Sequence, residues 1–382
     1  MKVLFLSSWF PGRVTPNNGD FVERHALAVS ELFQTAIIHV SADVKIKGTF
    51  FEIHEIHQSS LYEIILYFKR SSFRIRPIAR LLNNLYYVTG YFTGYRILLK
   101  KMGRPDIIHA NIIYPIARVA RVLHWFTGIP YIISEHWTLF LTKEVSSLPY
   151  VTSIRKSVQK AFALVPVTHN LKEALIRHGY RSKYFVVPNV VDTEIFRPGI
   201  PPAKMRFLHV SSMKEEHKNI IGLLRVIKRF VNEGNNFEFV FAGPVQDPQK
   251  QLADELGLGN GTVQFFGEIS HISVADLMQH SHIFVMFSRI ENLPCAILEA
   301  LSCGLPVISS NVGGISEWIN ESNGLLVPSE DEDALLRAMK YVSDHFENYQ
   351  RDDLHRFAEE HFSPKVIAGN FRDIYSQALN SK

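Results

Sequence analysis

Two glutamates on either side of a proline have the residue types and spacing best suited to chemistry. Glu291 and Glu299 lie in IENLPCAILEALSCGLPV (290–307), with Pro294 between them. Because Pro suits the first turn of a helix, we expect Glu291 in a loop and Glu299 on the helix that follows. The N–H groups and positive dipole end of that helix suit a diphosphate. The spacing fits one carboxylate on a sugar and the other on a ribose. The alternative is a solvated loop acid and a surface helix residue.

The elements that must position these residues are two series of apolar runs that alternate with helical patterns. The runs are 3–8, 36–41, 106–111, 130–136 and 163–168, then 206–212, 237–243, 263–268, 283–288 and 306–310. Such runs indicate parallel sheets covered on both faces, and two series predict an α/β chain of two doubly wound Rossmann-like domains. Prolines near 186–202 place the boundary between domains 1–190 and 191–382, the second ending in a helical tail. Ligands are expected beyond the carboxyl ends of the strands.

The charge of the chain is unevenly distributed. Its 382 residues carry a net charge of +4, but residues 1–190 hold 24 Lys+Arg against 11 Asp+Glu, and the remainder holds 17 against 26. The basic half is therefore expected to face an anionic partner. The apolar opening MKVLFLSSWFP is interpreted as a buried strand rather than a leader, and Cys295 and Cys303 lack metal-like spacing. A reduced, cytoplasmic protein is the simplest interpretation.

The sequence around the two glutamates resembles that of a known protein family. SRIENLPCAILEALSCGLPVISSNVGGISEWI, followed by NGLLVPSED, is similar to the E-x7-E region of family 4 (group 1) retaining glycosyltransferases, which have the GT-B fold. The resemblance implies two Rossmann-like domains whose sheets face across a cleft, with a nucleotide-sugar donor mainly on the second domain and the acceptor mainly on the first. It assigns Glu291 to the transferred sugar and Glu299 to the ribose. Asn292, Leu293 and Leu298 are implied as further donor-binding residues.

Other donor-site landmarks follow the strands of the second domain. In HVSSMKEEHKNI (209–220), Lys218 aligns with the family's donor-phosphate lysine, and a cation there neutralises the leaving diphosphate. The family usually has an Arg five or six positions earlier, where this chain has Met213 and Ser212. Lys214 is the candidate substitute. Gly243 is implied beside the nucleotide.

The first domain carries the landmarks that the resemblance links to the acceptor. In NNGDFVERHALAVSEL (17–32), Gly19 is expected to let the backbone approach the donor phosphate, and Asp20 or Arg24 to meet the acceptor. An ordinary strand-to-helix turn needs a Gly equally. PDIIHANIIYP (105–115) resembles the D-x-x-H-x-H segment, with Asn111 in place of the second His. His109 and Asn111 are therefore expected near the acceptor.

A further histidine completes the implied catalytic set of His136, Lys218 and Glu291. His136 lies in SEHWT, where it is expected to orient the acceptor or polarise the donor sugar. Asn189 is interpreted as ordering the turn into the second domain. Glu317 is interpreted as a helix-capping or pairing residue.

No metal or other cofactor is expected. The single D-x-D, Asp331 and Asp333, follows Ser329 and is interpreted as a helix start. Walker, G-x-S-x-G and nucleic-acid-binding motifs are missing from the sequence. The expected partners are a UDP- or GDP-sugar and a glycan or lipid-linked acceptor, in bacterial polysaccharide or glycolipid synthesis. The alternatives are a GT-B sugar-nucleotide epimerase and a non-catalytic nucleotide-sugar-binding subunit.

One basic segment suggests a membrane contact. Residues 64–105 contain nine Lys/Arg and no Asp or Glu, interleaved with aromatic residues. A cationic helix with aromatic residues can lie on an anionic membrane, at the inner face of the plasma membrane in this interpretation. The alternative is a core-packed helical pair with a solvated basic face. Arg74 belongs to this segment.

Overall fold

The computed structural model describes residues 1–16, 18–46, 50–58, 60–71, 73, 75–142, 151–259 and 261–381. Arg74 lies outside the described residues. The chain divides into two compact units. Unit 1 comprises Met1–Val167, Lys172–Val190 and Ile367–Lys382, and unit 2 comprises Thr168–Leu171 and Val191–Val366. Each unit has its own sheet. The predicted pair of α/β domains with parallel sheets is confirmed.

The sheet of unit 1 has seven strands. They are β1 (Lys2–Ser7), β2 (Gln34–Ala42), β3 (Phe51–Gln58), β4 (Leu61–Phe68), β5 (Ile107–Asn111), β6 (Tyr131–Glu135) and β7 (Ala163–Pro166). Their order is β3-β4-β2-β1-β5-β6-β7, with only the β3–β4 pair antiparallel. The helices are α1 (Asp20–Ser30), α2 (Arg76–Lys101), α3 (Ile116–Thr127), α4 (Val151–Lys160) and α5 (His169–Arg177), the last beginning in unit 2.

Strand β4 corrects the interpretation of the basic segment 64–105. All eight residues of β4 are buried, and the helix starts only at Arg76. Tyr67 and Phe68, expected on a cationic helix, therefore belong to the sheet. The reason for the error is physical: a strand covered on both faces is a continuous apolar run, which periodicity alone cannot distinguish from part of a buried helix.

The sheet of unit 2 has six parallel strands. They are β8 (Met205–Val210), β9 (Phe237–Ala242), β10 (Val263–Phe265), β11 (Ile283–Met286), β12 (Val307–Ser310) and β13 (Gly324–Val327), in the order β10-β9-β8-β11-β12-β13. The helices are α6 (Glu215–Lys218), α7 (Ile220–Asn232), α8 (Asp247–Glu255), α9 (His271–Gln279), α10 (Cys295–Ser302), α11 (Glu332–Asp344) and α12 (Arg351–Phe362).

The last helix, α13 (Pro364–Asn380), returns to unit 1 from Ile367 onward. Phe371 and Tyr375 are fully buried in the same apolar cluster as Val22 of α1 and Phe5 of β1. Unit 2 continues from Val191, and the final segment, expected in a domain of residues 191–382, is part of unit 1. An amphipathic helix has an apolar face whichever sheet it covers, so its pattern does not identify its partner.

Candidate functional site

The candidate donor-binding residues of unit 2 follow the carboxyl ends of its central strands. The β8–α7 segment carries Lys218, and Gly243 follows β9 directly. Glu291 lies in the loop between β11 and α10, and Glu299 lies on α10, as their spacing around Pro294 predicted. In a parallel sheet these strand ends share one edge, which is the usual ligand-binding edge.

Lys218 and Glu291 meet at this edge. The ammonium of Lys218 donates to Oε1 of Glu291, and the hydroxyl of Ser288 donates to the same oxygen at 2.7 Å. Only 13% of the Lys218 side chain and 9% of the Glu291 side chain are exposed. The left-handed Asn219 (φ 50°) ends α6 immediately after Lys218 and starts α7. The fold therefore brings a cation and a carboxylate together at the edge where a sugar diphosphate is expected.

Glu299 has its own partner on a neighbouring helix. Its Oε1 lies 3.0 Å from Nε2 of His271, the first residue of α9. The side chain of Glu299 is buried, whereas 39% of the His271 side chain is exposed. Sequence reasoning missed His271, because a histidine after an N-capping Ser270 has no spacing that connects it with Glu299.

The remaining predicted residues around α10 divide into two groups. Asn292 is buried; its Oδ1 accepts from the hydroxyl of Thr168 at 2.9 Å, and its carbonyl accepts from the N–H of Gly314 at 2.9 Å. Leu293 precedes Pro294 and is nearly buried. Leu298 is completely buried inside unit 2. Its side chain is thus part of the core, and its expected place beside the donor stays a prediction.

Gly243 is required where it lies. Its φ is 139°, and an added Cβ would come within 2.0 Å of the carbonyl oxygen of Ser211. Only glycine adopts this backbone region readily. The chain after β9 therefore passes directly against the chain after β8.

Lys214, the expected substitute for the missing arginine, lies one helical turn before Lys218. Lys214 is exposed, and its carbonyl accepts from the N–H of Lys218 at 2.8 Å as α6 begins. Another cation that contacts this segment is the guanidinium of Arg289, which sequence reasoning missed. It donates to Oε1 of Glu330 and to Oδ1 of Asn219, each at 2.6 Å. Arg289 thus braces the loop around Lys218 through partners of the protein itself.

In unit 1, Gly19 starts α1 with a left-handed conformation (φ 80°). A Cβ at Gly19 would lie 2.3 Å from the main-chain carbonyl of Trp9, so the turn requires glycine. Asp20 and Arg24 face one another one turn apart, with 2.8 Å between Oδ2 and the guanidinium. These contacts are local ones: Gly19 forms the turn, and the charges of Asp20 and Arg24 pair along the helix.

His136 is held from two sides. Its main-chain N–H donates to Oε1 of the buried Glu135 at 2.8 Å, and its ring nitrogen Nδ1 lies 3.1 Å from Oδ1 of Asn189. Because an amide oxygen only accepts, Nδ1 carries the proton and Nε2 carries the lone pair. Burial lowers the pKa of His136 well below its usual value, with the nearby His25 lowering it further. The imidazole is therefore neutral near pH 7 and can accept a hydrogen bond.

Glu135 itself orders the loop after β6. Its carboxylate accepts from the N–H groups of Ile113, His136 and Trp137 at 2.7–2.8 Å. Burial raises the pKa of Glu135 to about 7, although these three N–H donors act in the opposite direction. Sequence reasoning passed over Glu135, which reads as the polar end of an apolar strand.

His109 and Asn111 are enclosed within unit 1, and their expected place near the acceptor stays a prediction. His109 is fully buried; its Nδ1 is 2.7 Å from the hydroxyl of Tyr375 and its Nε2 is 2.7 Å from that of Ser134. Asn111 is also fully buried, and its amide donates to the carbonyl of His109 at 3.3 Å. Both ring nitrogens of His109 are thus occupied, one of them by the last helix, which no local pattern connects with β5.

Asp331 and Glu317 both cap helices, as the sequence suggested for acidic residues at these positions. Asp331 caps α11, with its Oδ1 accepting from the N–H of Ala334 at 2.8 Å, which confirms the helix-start interpretation of the D-x-D. Glu317 accepts from the N–H groups of His169 and Asn170, each at 2.7 Å. It therefore caps the start of α5 rather than the helix that follows it in the sequence.

Two family models match this chain. Residues 190–360 match the model described as glycosyl transferases group 1, and residues 60–195 match the one described as glycosyltransferase family 4. One similar curated protein is the teichuronic acid biosynthesis glycosyltransferase TuaC of Bacillus subtilis, described as putative, at 25% identity over 89% of this chain and 88% of that protein. Another is a component of phosphatidylinositol N-acetylglucosaminyltransferase from Arabidopsis thaliana, at 26% identity over 66% of this chain. The chain spans only 57% of the length of that plant protein.

Solved structures of similar fold cover the whole chain. Sucrose-phosphate synthase from Thermosynechococcus elongatus aligns over 100% of both chains with a TM-score of 0.76 at 17% identity. Anabaena HepE in complex with UDP aligns over 99% of this chain and 100% of its own, with a TM-score of 0.71 at 16% identity. At these identities the likeness concerns the fold, which is that of the GT-B glycosyltransferases.

Proposed function

Since this chain belongs to the family 4, group 1 glycosyltransferases, we propose that it moves a sugar from a UDP- or GDP-sugar to a glycan or lipid-linked acceptor, with retention of anomeric configuration. Unit 2 would bind the donor and unit 1 the acceptor. The relatives that support a surface polysaccharide or glycolipid role include TuaC and an Escherichia coli galactosyltransferase whose name specifies a diphosphoundecaprenol acceptor.

The observation that carries the proposal is the contact of Lys218 with Glu291 ahead of α10. The N-terminus of α10 follows Pro294 and has no side-chain cap, and the first N–H groups of a helix are natural donors to an anion. With Glu299 one turn further along the helix, the residues supply a cation and N–H donors for a diphosphate. The two carboxylates then serve hydroxyl groups of the sugar and the ribose.

The proposed chemistry needs stabilisation of a leaving group rather than a protein nucleophile. The bond between the anomeric carbon and the diphosphate oxygen breaks, and a bond from that carbon to the acceptor oxygen forms. The proton of the acceptor hydroxyl leaves with the nucleoside diphosphate. Lys218 and the α10 N-terminus stabilise the charge that develops on the diphosphate. The neutral His136 would accept a hydrogen bond from a sugar or acceptor hydroxyl and fix its orientation.

We further propose that transfer requires no metal ion, since Lys218 and a helix terminus provide the positive charge that a metal would otherwise supply. Cytoplasmic location, with peripheral contact at the membrane that holds a lipid-linked acceptor, completes the proposal.

The testing experiment measures donor binding and transfer separately. Purified protein is screened by thermal shift with UDP-, GDP- and ADP-sugars in EDTA, since a ligand of the native state at one hundred times its Kd adds about 2.7 kcal/mol of stability. Binding is expected for one base and should be lost in Glu299→Ala. Transfer of radiolabelled sugar from that donor to lipid extract then tests catalysis. A protein that binds a donor and only hydrolyses or epimerises it contradicts the transferase proposal.

A further inference from the structure

The outward face of α2 carries an apolar stripe that is exposed to solvent except at the half-buried Phe92. Ile78, Leu85, Phe92 and Leu99 follow one another at seven-residue steps. Because seven residues make nearly two helical turns, the four share one face. Leu81 lies beside them and is 68% exposed, and Leu85 is 54% exposed. The opposite face, with Tyr91 and Leu98, is buried against the sheet.

The stripe continues onto the end of α3. Phe126 is 66% exposed and its ring lies 6.2 Å from that of Phe92. Trp125 is 76% exposed and packs edge-on against Phe126 at 4.5 Å. We name the seven residues the α2–α3 apolar surface: Ile78, Leu81, Leu85, Phe92, Leu99, Trp125 and Phe126. An exposed apolar patch of this kind marks an interaction site.

Positive charge surrounds this surface. Arg96 and Lys100 follow Phe92 at steps of four residues, which extends the same face of α2 with cations. Exposed cations also flank it at Arg76, Arg80 and Lys101. From Ile64 to Pro105 the sequence contains no acidic residue, and the acid that the structure places beside Lys101 is Glu55 of β3, 4.0 Å from its ammonium.

The apolar surface and the cations around it together indicate which kind of partner binds there. A second copy of the chain would bring one acid-free cationic helix against another, and the like charges would repel. An anionic bilayer accepts the apolar side chains and attracts the flanking cations at once. Trp and Phe are also suited to the interface between headgroups and acyl chains. We propose that the α2–α3 apolar surface docks unit 1 onto an anionic lipid bilayer.

This assignment relocates the membrane contact expected from the sequence. The contact lies on the outward face of α2 and on the end of α3, whereas the start of the 64–105 segment is a buried strand. Among the described residues, none of the helices has the length and apolar character needed to cross a bilayer. Docking at the surface deepens the proposed function, on which it rests, because it would hold unit 1 where a lipid-linked acceptor is found.

Vesicle flotation of the full-length protein tests the proposal without donor or acceptor. We expect the protein to float with vesicles of phosphatidylcholine containing 40% phosphatidylglycerol at least tenfold more than with pure phosphatidylcholine, because two near-surface cations at about fivefold each already exceed that ratio. Leu81→Ser/Leu85→Ser/Trp125→Ser should lower the partition coefficient at least tenfold. The matched control is Ile200→Ser/Ile272→Ser, which removes two exposed apolar residues of unit 2 and should leave flotation unchanged.

A second measurement guards against a misfolded variant. Vesicles with brominated acyl chains should quench tryptophan fluorescence of the native protein, and the conservative Trp125→Phe should remove most of that quenching while flotation persists. Absence of flotation with anionic vesicles, or flotation unaffected by the triple substitution, overturns the proposal. So does a dimer, seen by light scattering, that the triple substitution dissociates. A retained thermal shift with the donor in the triple variant separates this failure from failure of the donor site.

Discussion

Lys218 and Glu291 neutralise each other inside unit 2, with the ammonium of one donating to the carboxylate of the other. A bound donor must therefore exchange partners: the diphosphate takes the ammonium, and a sugar hydroxyl takes the carboxylate. Such an exchange keeps both charges compensated in the free and the bound state. It also makes the two residues energetically dependent on one another.

The first prediction concerns that dependence. Lys218→Ala should lower the melting temperature, because it leaves a largely buried carboxylate without its cation. It should also weaken donor binding tenfold to one-hundredfold, in line with about 1.5–3 kcal/mol for a hydrogen bond to a charged group. Lys218→Ala/Glu291→Ala should recover part of the lost melting temperature but none of the binding. Calorimetric titration and thermal denaturation of these two variants and of Glu291→Ala measure this. Strictly additive changes in melting temperature would show that the pair is not coupled.

The second prediction separates Glu299 from its partner. Glu299→Ala should weaken binding of the free nucleoside diphosphate at least tenfold, since the ribose would lose a charged acceptor. His271→Ala should keep most of the binding, because it removes only the group that meets Glu299 in the free protein. Titration with UDP and GDP checks both variants. Equal losses in the two would assign the nucleotide contact to the pair rather than to Glu299.

The third prediction places His136 in catalysis rather than donor binding. His136→Ala should lower kcat about one-hundredfold or more, a loss typical of an orienting hydrogen bond at the reacting centre, and leave the donor-induced thermal shift intact. Because the pKa of His136 lies well below 6.5, its imidazole is already neutral at pH 6. The kcat of the native enzyme should therefore show no inflection from this group between pH 6 and 8. A donor shift that disappears in His136→Ala would indicate a structural role instead.

The fourth prediction concerns a buried acid away from the site. Glu63 of β4 is almost fully buried, and burial, with Glu23 nearby, raises its pKa to about 7. An acid with a raised folded-state pKa binds more protons when folded, so its contribution to stability is lost as pH rises from about 4.5 to 7. Glu63→Gln should therefore raise the free energy of unfolding at pH 8 by at most about 3 kcal/mol above that of the native protein. At pH 4.5 the substitution should change this free energy little. Urea unfolding at the two pH values measures this.

The exposed Glu31→Gln is the matched control for Glu63→Gln and should show no such pH dependence. An equal effect of Glu63→Gln at both pH values would mean that the carboxylate is already ionised without cost.

The fifth prediction compares two glycines with the same backbone conformation. Gly19 has φ 80° and Gly261 has φ 83°, but only at Gly19 would a Cβ meet another atom within 4 Å. Gly261→Ala should cost about 1–2 kcal/mol, the penalty of left-handed backbone for a non-glycine residue. Gly19→Ala should cost more than Gly261→Ala, because the added Cβ must also displace the main chain of Trp9. Chemical denaturation gives both values, and similar losses would show that the Trp9 turn adapts freely.

The sequence predicted what depends on local pattern. The ten apolar runs are all strands, and the Pro294 pattern placed Glu291 in a loop and Glu299 on a helix. Strands β3, β4 and β13 escaped prediction. The first two did so because an antiparallel edge pair next to a basic helix lacks the alternation of strand and helix seen elsewhere. The partners His271 and Arg289 also escaped, since they reach the site from other segments and no spacing connects them with it.

Local pattern likewise could not distinguish a buried polar residue from a substrate contact. His109 lies in the middle of β5 and Asn111 ends it, where a binding residue is expected, and both side chains are enclosed. Tyr375, which occupies one nitrogen of His109, lies 266 positions further along the chain. Only the tertiary structure reveals such a partner.

The return of α13 to unit 1 has a consequence for the order of synthesis. The ring of Phe371 and the hydroxyl of Tyr375 cover His109 and fill the core that α1 faces. A ribosome makes these residues only after all of unit 2, so the half of the molecule translated first stays incomplete until α13 has emerged. The half translated second has its strands and helices by residue 366. A nascent or truncated 1–190 segment therefore exposes apolar surface that a chaperone must cover, and the core begun first is completed last.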